Sequence, residues 1–189
     1  MRTSEAHQYI TQSKRRTLVV KQLTQPMTAT QLSRRAGLNH DACRRILGEL
    51  AQHGILSCLN PTARRSRVYW FSSLGTSAVK RFPECEHHFT DDYSTIDWNL
   101  YGWVCYRHRA AILKTLTEPM QPAKIKRKAR SRDPTLRMSA NNTRDTIRLF
   151  RERGIVQPVH VRKKAHARYE LTEFGRVLRR LILRAESVL

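Results

Sequence analysis

The side chains most able to act on a partner in this chain are cationic: 27 Arg and 9 Lys stand against 15 Asp and Glu, for a formal net charge of +21. A guanidinium is planar, permanently charged and forked, so it suits groups with paired oxygens such as carboxylates and phosphates. A second constellation is Cys85-x-x-His88 with Cys105-x-x-His108, four zinc-type ligands across a sixteen-residue gap. Nucleophilic chemistry has less to work with. No Ser/His/Asp grouping, paired-carboxylate cluster or Gly-rich phosphate loop is present, and the acidic positions 91, 92 and 97 are the nearest thing to a metal-binding carboxylate set. The chain is therefore expected not to be an enzyme and to need no cofactor.

Charge this one-sided calls for a polyanion, because each neutralised phosphate of a nucleic acid releases condensed counterions. A membrane surface is the competing partner, but no basic amphipathic helix stands apart from a globular pattern, and no apolar run approaches the roughly 20 residues a bilayer crossing needs. The four cysteines, at 43, 58, 85 and 105, are too sparse for a disulfide framework. Reduced thiols, a cytoplasmic setting and association with the nucleoid follow as expectations. The charge is also divided along the chain. Residues 1–82 net +11, residues 83–103 net −5 and residues 104–189 net +15. Two basic domains, 1–82 and 104–189, are thus expected on either side of an acidic, aromatic connector, 83–103, which opens on a helix-stopping proline.

The two basic blocks resemble each other. A shift of 93 lays Leu23-Thr24-Gln25-Pro26-Met27 on Leu116-Thr117-Glu118-Pro119-Met120, and Arg34 and Ala36 on Arg127 and Ala129. A shift of 100 lays Arg44 on Arg144, Gly54-Ile55 on Gly154-Ile155, Tyr69 on Tyr169 and Gly75 on Gly175, so the second copy carries seven extra residues between 130 and 139. A period this long reads as a duplicated domain rather than a solenoid. It also weakens the zinc reading: the first-copy equivalents of Cys105 and His108 are Gln12 and Arg15. A thiol beside ordinary polar histidines is preferred there.

Each copy spells the same elements. In the first, the apolar residues 18, 19, 20 and 23 suit a helix ending near Pro26, and Thr30 to Ala36 suits a short second one. After the Gly37-Leu38 turn, Asn39 caps a third helix whose Cys43, Ile46, Leu47 and Leu50 face inward until Gly54 ends it. Strands at Ile55 to Leu59 and Val68 to Ser72 flank an arginine-rich tip, and a closing helix follows from about Ser73. In the second copy the closing helix is expected from Glu173 to about Ser187. Between the copies, Trp98, Tyr101, Val104 and Cys105, with Ile112 and Leu116 further on, keep helical spacing from a capping Ser94, so the connector is expected to continue into the first helix of the second copy. Trp98 and Trp103 are assigned to a domain or subunit interface. The fold class expected is α+β, mainly α with small hairpins: two tandem winged helix-turn-helix domains.

The run Gly37-Leu38-Asn39-x-x-Ala42-Cys43-x-x-x-Leu47-x-x-Leu50-x-x-x-Gly54-Ile55-Leu56, followed by Tyr69-x-Phe71-Ser72-x-x-Gly75, resembles winged-helix regulators of the MarR and ArsR type. The second copy matches from Met138-Ser139, through Thr143, Ile147, Phe150 and Gly154-Ile155, to Tyr169-x-Leu171-Thr172-x-x-Gly175. The resemblance covers about 150 residues and implies this fold and DNA binding. It departs from the family in the longer turn Arg130–Arg137 and in holding two copies in one chain, which makes a monomeric pseudo-dimer or a homodimer the expected state.

Helical spacing then sorts the residues expected to touch duplex DNA. With Cys43, Leu47 and Leu50 inward, His40, Asp41, Arg44 and Arg45 point outward; from Ser139 the second outward set is Ala140, Asn141, Arg144, Asp145 and Arg148. Arg can read guanine and Asn can read adenine bidentately. Hairpin tips supply Arg64, Arg65 and Arg67, then Arg162, Lys163, Lys164, His166 and Arg168, for phosphates or a narrow minor groove. The run holding Lys124, Lys126, Arg127, Lys128, Arg130 and Arg132 is expected to neutralise backbone. The function these residues suggest is sequence-specific, double-stranded DNA-binding transcription regulation on a bipartite site. A plasmid or viral replication initiator, an architectural chromatin protein and a binder of structured RNA are the alternatives.

Overall fold

The computed structural model describes residues 1–82, 93–159 and 167–187. Its contacts divide the chain into two units, Met1–Trp103 with Ala185–Leu189, and Val104–Arg184. The architecture is mainly helical with small antiparallel sheets. No helix among the described residues is long and apolar enough to cross a membrane.

The first unit opens with α1 (Thr3–Thr11), for which the spacing above gave no sign, and α2 (Lys14–Gln22). Strand β1 (Met27–Thr28) leads directly into α3 (Ala29–Ala36), where Thr28 and Gln31 form a reciprocal capping box. Helix α4 (His40–Gln52) is capped as its sequence suggests: Asn39 Oδ1 accepts from the Asp41 amide at 2.8 Å. Cys43, Ile46, Leu47 and Leu50 are buried along one face, and each large apolar side chain so buried contributes about 1.5–3 kcal/mol. Burial also pushes the Cys43 thiol up to about 11, because the thiolate would lose its water.

Strands β2 (Leu56–Cys58) and β3 (Val68–Phe71) form the hairpin, and β1 pairs with the far edge of β3 through Met27↔Tyr69 to give the order β1-β3-β2. The closing helix α5 (Ser73–Val79) follows. Next in the chain is α6 (Trp98–Val104), which corrects two expectations. It starts after Asp97, whose Oδ1 accepts from the Leu100 amide at 3.0 Å, rather than at Ser94. It also stops before Tyr106, whose extended backbone (φ −63°, ψ 137°) caps the next helix, so the apolar spacing from 98 to 116 crosses a break. The described part of the expected connector, Tyr93–Trp103, belongs to the first unit. Trp98 meets Tyr93 and Tyr101 edge-on there.

The second unit repeats the order with α7 (Arg107–Thr115), α8 (Pro122–Arg132), α9 (Ala140–Glu152), β4 (Val156–Val159), β5 (Arg168–Leu171) and, up to Arg184, α10 (Glu173–Glu186). Ser139 caps α9 by accepting from the Asn142 amide at 3.0 Å. Met120 pairs with Tyr169 through two backbone hydrogen bonds, at 2.9 and 3.0 Å, as Met27 pairs with Tyr69. The repeat read at two different shifts therefore meets in one pairing.

The junction between third helix, hairpin and closing helix is built identically in both units. Gly54 and Gly154 adopt φ 69° and 66°, the left-handed conformation that ends a helix most cheaply at glycine. The amides of Ile55 and Ile155 then reach back to Leu50 O and Phe150 O at 2.9 and 2.8 Å. Ser72 and Thr172 donate to the Gly54 and Gly154 carbonyls, both at 2.6 Å, and accept from the Gly75 and Gly175 amides at 3.0 and 3.1 Å. Each closing helix thus begins against the end of the third. A Cβ on Gly75 or Gly175 would overlap the carbonyl of Ile55 or Ile155.

Candidate nucleic-acid interface

The outward residues expected on the two capped helices are exposed without exception: His40, Asp41, Arg44 and Arg45 on α4, and Ala140, Asn141, Arg144, Asp145 and Arg148 on α9. The same 3.6-residue period that buries Cys43 and Thr143 turns Arg44 and Arg144, one position later, to solvent. Arg44 lies 3.7 Å from Asp41, and Arg148 lies 3.5 Å from Asp145. Both pairs are largely solvated and contribute little, so the arginines can exchange these partners for a phosphate or a base at small cost. Arg144 leans on Asn141, its Nη1 donating to Oδ1 at 3.4 Å.

In the second unit α8 and α9 enclose an open cleft of about 570 Å³. Lys126, Arg127 and Arg130 line it from α8, and Ala140 and Arg144 from α9, with Pro134 between. Among the described residues, no acidic side chain is in its wall. A neighbouring cleft of about 500 Å³ has Arg144, Pro122 and Tyr169 in its wall, which places Arg144 at the border of the two. The basic run expected to act together on backbone is split. While Lys126, Arg127 and Arg130 face the cleft, Lys124 is paired with Glu118 at 2.9 Å, Lys128 donates to Thr117 Oγ1 at 3.3 Å, and Arg132 donates to the Lys114 carbonyl at 3.1 Å. The last three recur every fourth residue and so share one face of α8, where the chain just before that helix supplies their partners.

The seven-residue insert is an ordered feature. Three residues lengthen α8 relative to α3, and the turn that follows is braced from the start of α7. Arg107 holds Asp133 at 2.9 Å and also donates to Thr135, and His108 Nε2 meets the Arg137 carbonyl at 2.7 Å. Thr135 donates to Asp133, and with Arg107 it holds that carboxyl below the usual range. Leu136 and Met138 are buried beneath. A carbonyl only accepts, so the Nε2 of His108 carries the proton in this bond. Cys85 and His88, the other half of the zinc-type set, lie outside the described residues, and Cys105 is half-buried.

Of the tip residues, Arg64, Arg65 and Arg67 are exposed on the β2–β3 hairpin, and Arg67 Nε donates to the Ala63 carbonyl at 3.1 Å. Arg168 is exposed at the start of β5. Arg162, Lys163, Lys164 and His166 lie outside the described residues. Sequence reasoning passed over Asn60, which is fully buried in the first tip and binds both its ends. The Asn60-Pro61 step, a turn-initiating pair, was the available signal. No family model, curated protein or solved structure matches the chain.

Proposed function

We propose that this chain is a sequence-specific, duplex-DNA-binding transcription regulator that uses two tandem winged helix-turn-helix units on a bipartite site. One observation carries the reading. Two units built on the same junction each present a capped, amphipathic helix, α4 or α9, with a solvent-facing arginine at the same repeat position, Arg44 and Arg144, in a chain of net charge +21. The N-terminal half of each such helix enters the major groove, where Arg reads guanine; the hairpin arginines and the Lys126, Arg127 and Arg130 wall meet phosphates. The cleft wall is suited to backbone contact because, among the described residues, the side chains that line it include four cations and no carboxylate.

Selection of bound duplexes from random DNA by the full-length protein, followed by footprinting, tests this. The expected result is a site with two protected segments, bound about 10³-fold or more tightly than random duplex at the same salt. A ratio near one makes the chain an architectural binder and refutes regulation. Sites clustered as direct repeats at an origin indicate replication initiation, and efficient competition by duplex RNA redirects the reading to structured RNA.

A further inference from the structure

We infer that α6 is a strut that presets the tip of the β2–β3 hairpin for contact with the DNA backbone; the backbone contact rests on the reading just proposed. The tip runs from Asn60 to Arg67, long for a hairpin, and exposes Arg64 and Arg65. A connection of this length would ordinarily lose conformational freedom when its arginines dock. Here a buried side chain joins its two ends, beside the Arg67–Ala63 bond within the tip and a hydrogen bond from Thr62 to Asn99 of α6 at 3.4 Å. Asn60, 0% exposed, accepts from the Val68 amide at 2.7 Å through Oδ1, and its Nδ2 donates to the carbonyls of Ser66 and Trp98, both at 3.3 Å. Asn60 therefore ties both ends of the tip to the first residue of α6.

The strut is fitted closely to the tip beyond its first residue. Gly102 is buried, and a Cβ there would stand 2.6 Å from Asn60 Nδ2 and 2.6 Å from the Ser66 carbonyl. Ser66 itself holds φ 53°, a left-handed conformation that a serine keeps only where its surroundings impose it. Tyr101, also 0% exposed, accepts from Gln31 Nε2 at 3.1 Å, and Gln31 is the closing residue of the α3 capping box. Helix α6 thus spans from the start of α3 to the hairpin tip within the first unit. Asn60, Tyr101 and Gly102 are positioning residues that act through Arg64 and Arg65. By the repeat, the second copy has His160 where the first has Asn60.

The test uses full-length protein carrying Gly102→Ala, alone and combined with Arg64→Ala/Arg65→Ala, with Asn60→Ala as a second route that removes the bond to the Trp98 carbonyl without changing the sequence of α6. Amide exchange is followed across residues 60–68, and affinity is measured on a random-sequence duplex over a salt series. The strut predicts exchange at the tip about 10-fold or more faster in either variant. It predicts duplex affinity about 3- to 10-fold lower, with that loss disappearing once both arginines are gone. Unchanged exchange at the tip in both variants overturns the strut, whatever happens to DNA binding. An affinity loss that persists in full without the arginines overturns the claim that α6 acts through them. If the unaltered protein binds no duplex, the DNA reading fails and the backbone contact with it, while the exchange result still decides the strut separately.

Discussion

The first unit joins its α3 and α4 through three residues, Gly37-Leu38-Asn39, whereas the second runs α8 one turn further and takes Asp133 to Ser139 to reach α9. Around this difference the two units keep the same junction of glycine, isoleucine and hydroxyl residue, down to hydrogen bonds of matching length. The repeated part is the part that fixes the third helix against the hairpin. What has diverged is the charged surface beside it: in the second unit the longer helix carries Lys126, Arg127 and Arg130 into a cleft with Arg144. The comparison teaches that one scaffold holds two different presentations of cations.

The largest expected effect tests whether the junction is equivalent in both units. Gly75→Ala and Gly175→Ala should each destabilise their own unit by about 3 kcal/mol, since the added methyl meets a backbone carbonyl that cannot move aside. Helix propensity alone argues for a gain of about 1 kcal/mol, so the sign of the change measures the close approach directly. Calorimetry on the full chain should show one transition shifted in each variant; a neutral or stabilising substitution at either site would show that the junctions differ.

Next in size is base reading. Arg44→Ala and Arg144→Ala should each weaken binding to a selected site by about 1–3 kcal/mol and change binding to random duplex less. Equal losses on both DNAs would remove base contact from that unit. Smaller again is the backbone effect of the hairpins. Arg64→Ala and Arg65→Ala should each lower the slope of log affinity against log salt by up to about 1, with Lys163→Ala as the second-unit counterpart. A slope left unchanged in all three would take the hairpins off the phosphates.

The smallest effect sharpens the insert. Asp133 is held below the usual carboxylate range by the Thr135 hydroxyl first and by Arg107 second. A depressed folded-state pKa means its contribution to stability is present above the unfolded value and fades as pH falls through the lower folded value. NMR titration should find Asp133 below an ordinary aspartate, raised partway in Arg107→Ala and further in Thr135→Ala. An ordinary value in the unaltered protein would mean that this brace does not hold the turn in solution.

Local rules were enough for much of this molecule. The caps at Asn39 and Ser139, the inward stripe of Cys43, Ile46, Leu47 and Leu50, the outward arginines and the hairpin strands all depend on residues within one or two turns, so their spacing is written in the chain. The duplicate added a second reading of each. The helix across 94–116 was misread because periodicity cannot register a two-residue break when apolar residues resume in phase on the other side. Likewise the basic run 124–132 reads as one patch, yet at helical spacing Lys124, Lys128 and Arg132 share one face, where Glu118, Thr117 and the Lys114 carbonyl meet them, while Lys126, Arg127 and Arg130 share another that lines the cleft, and only the folded chain shows what each face meets. The Asn60-Pro61 step marks a turn and Tyr101 sits in an apolar stripe, yet neither these signs nor Gly102 shows what the three residues meet. Their roles arise from contacts spanning about 40 to 70 positions of sequence, and hydrogen bonds and close approaches over such separations exist only once the chain has folded.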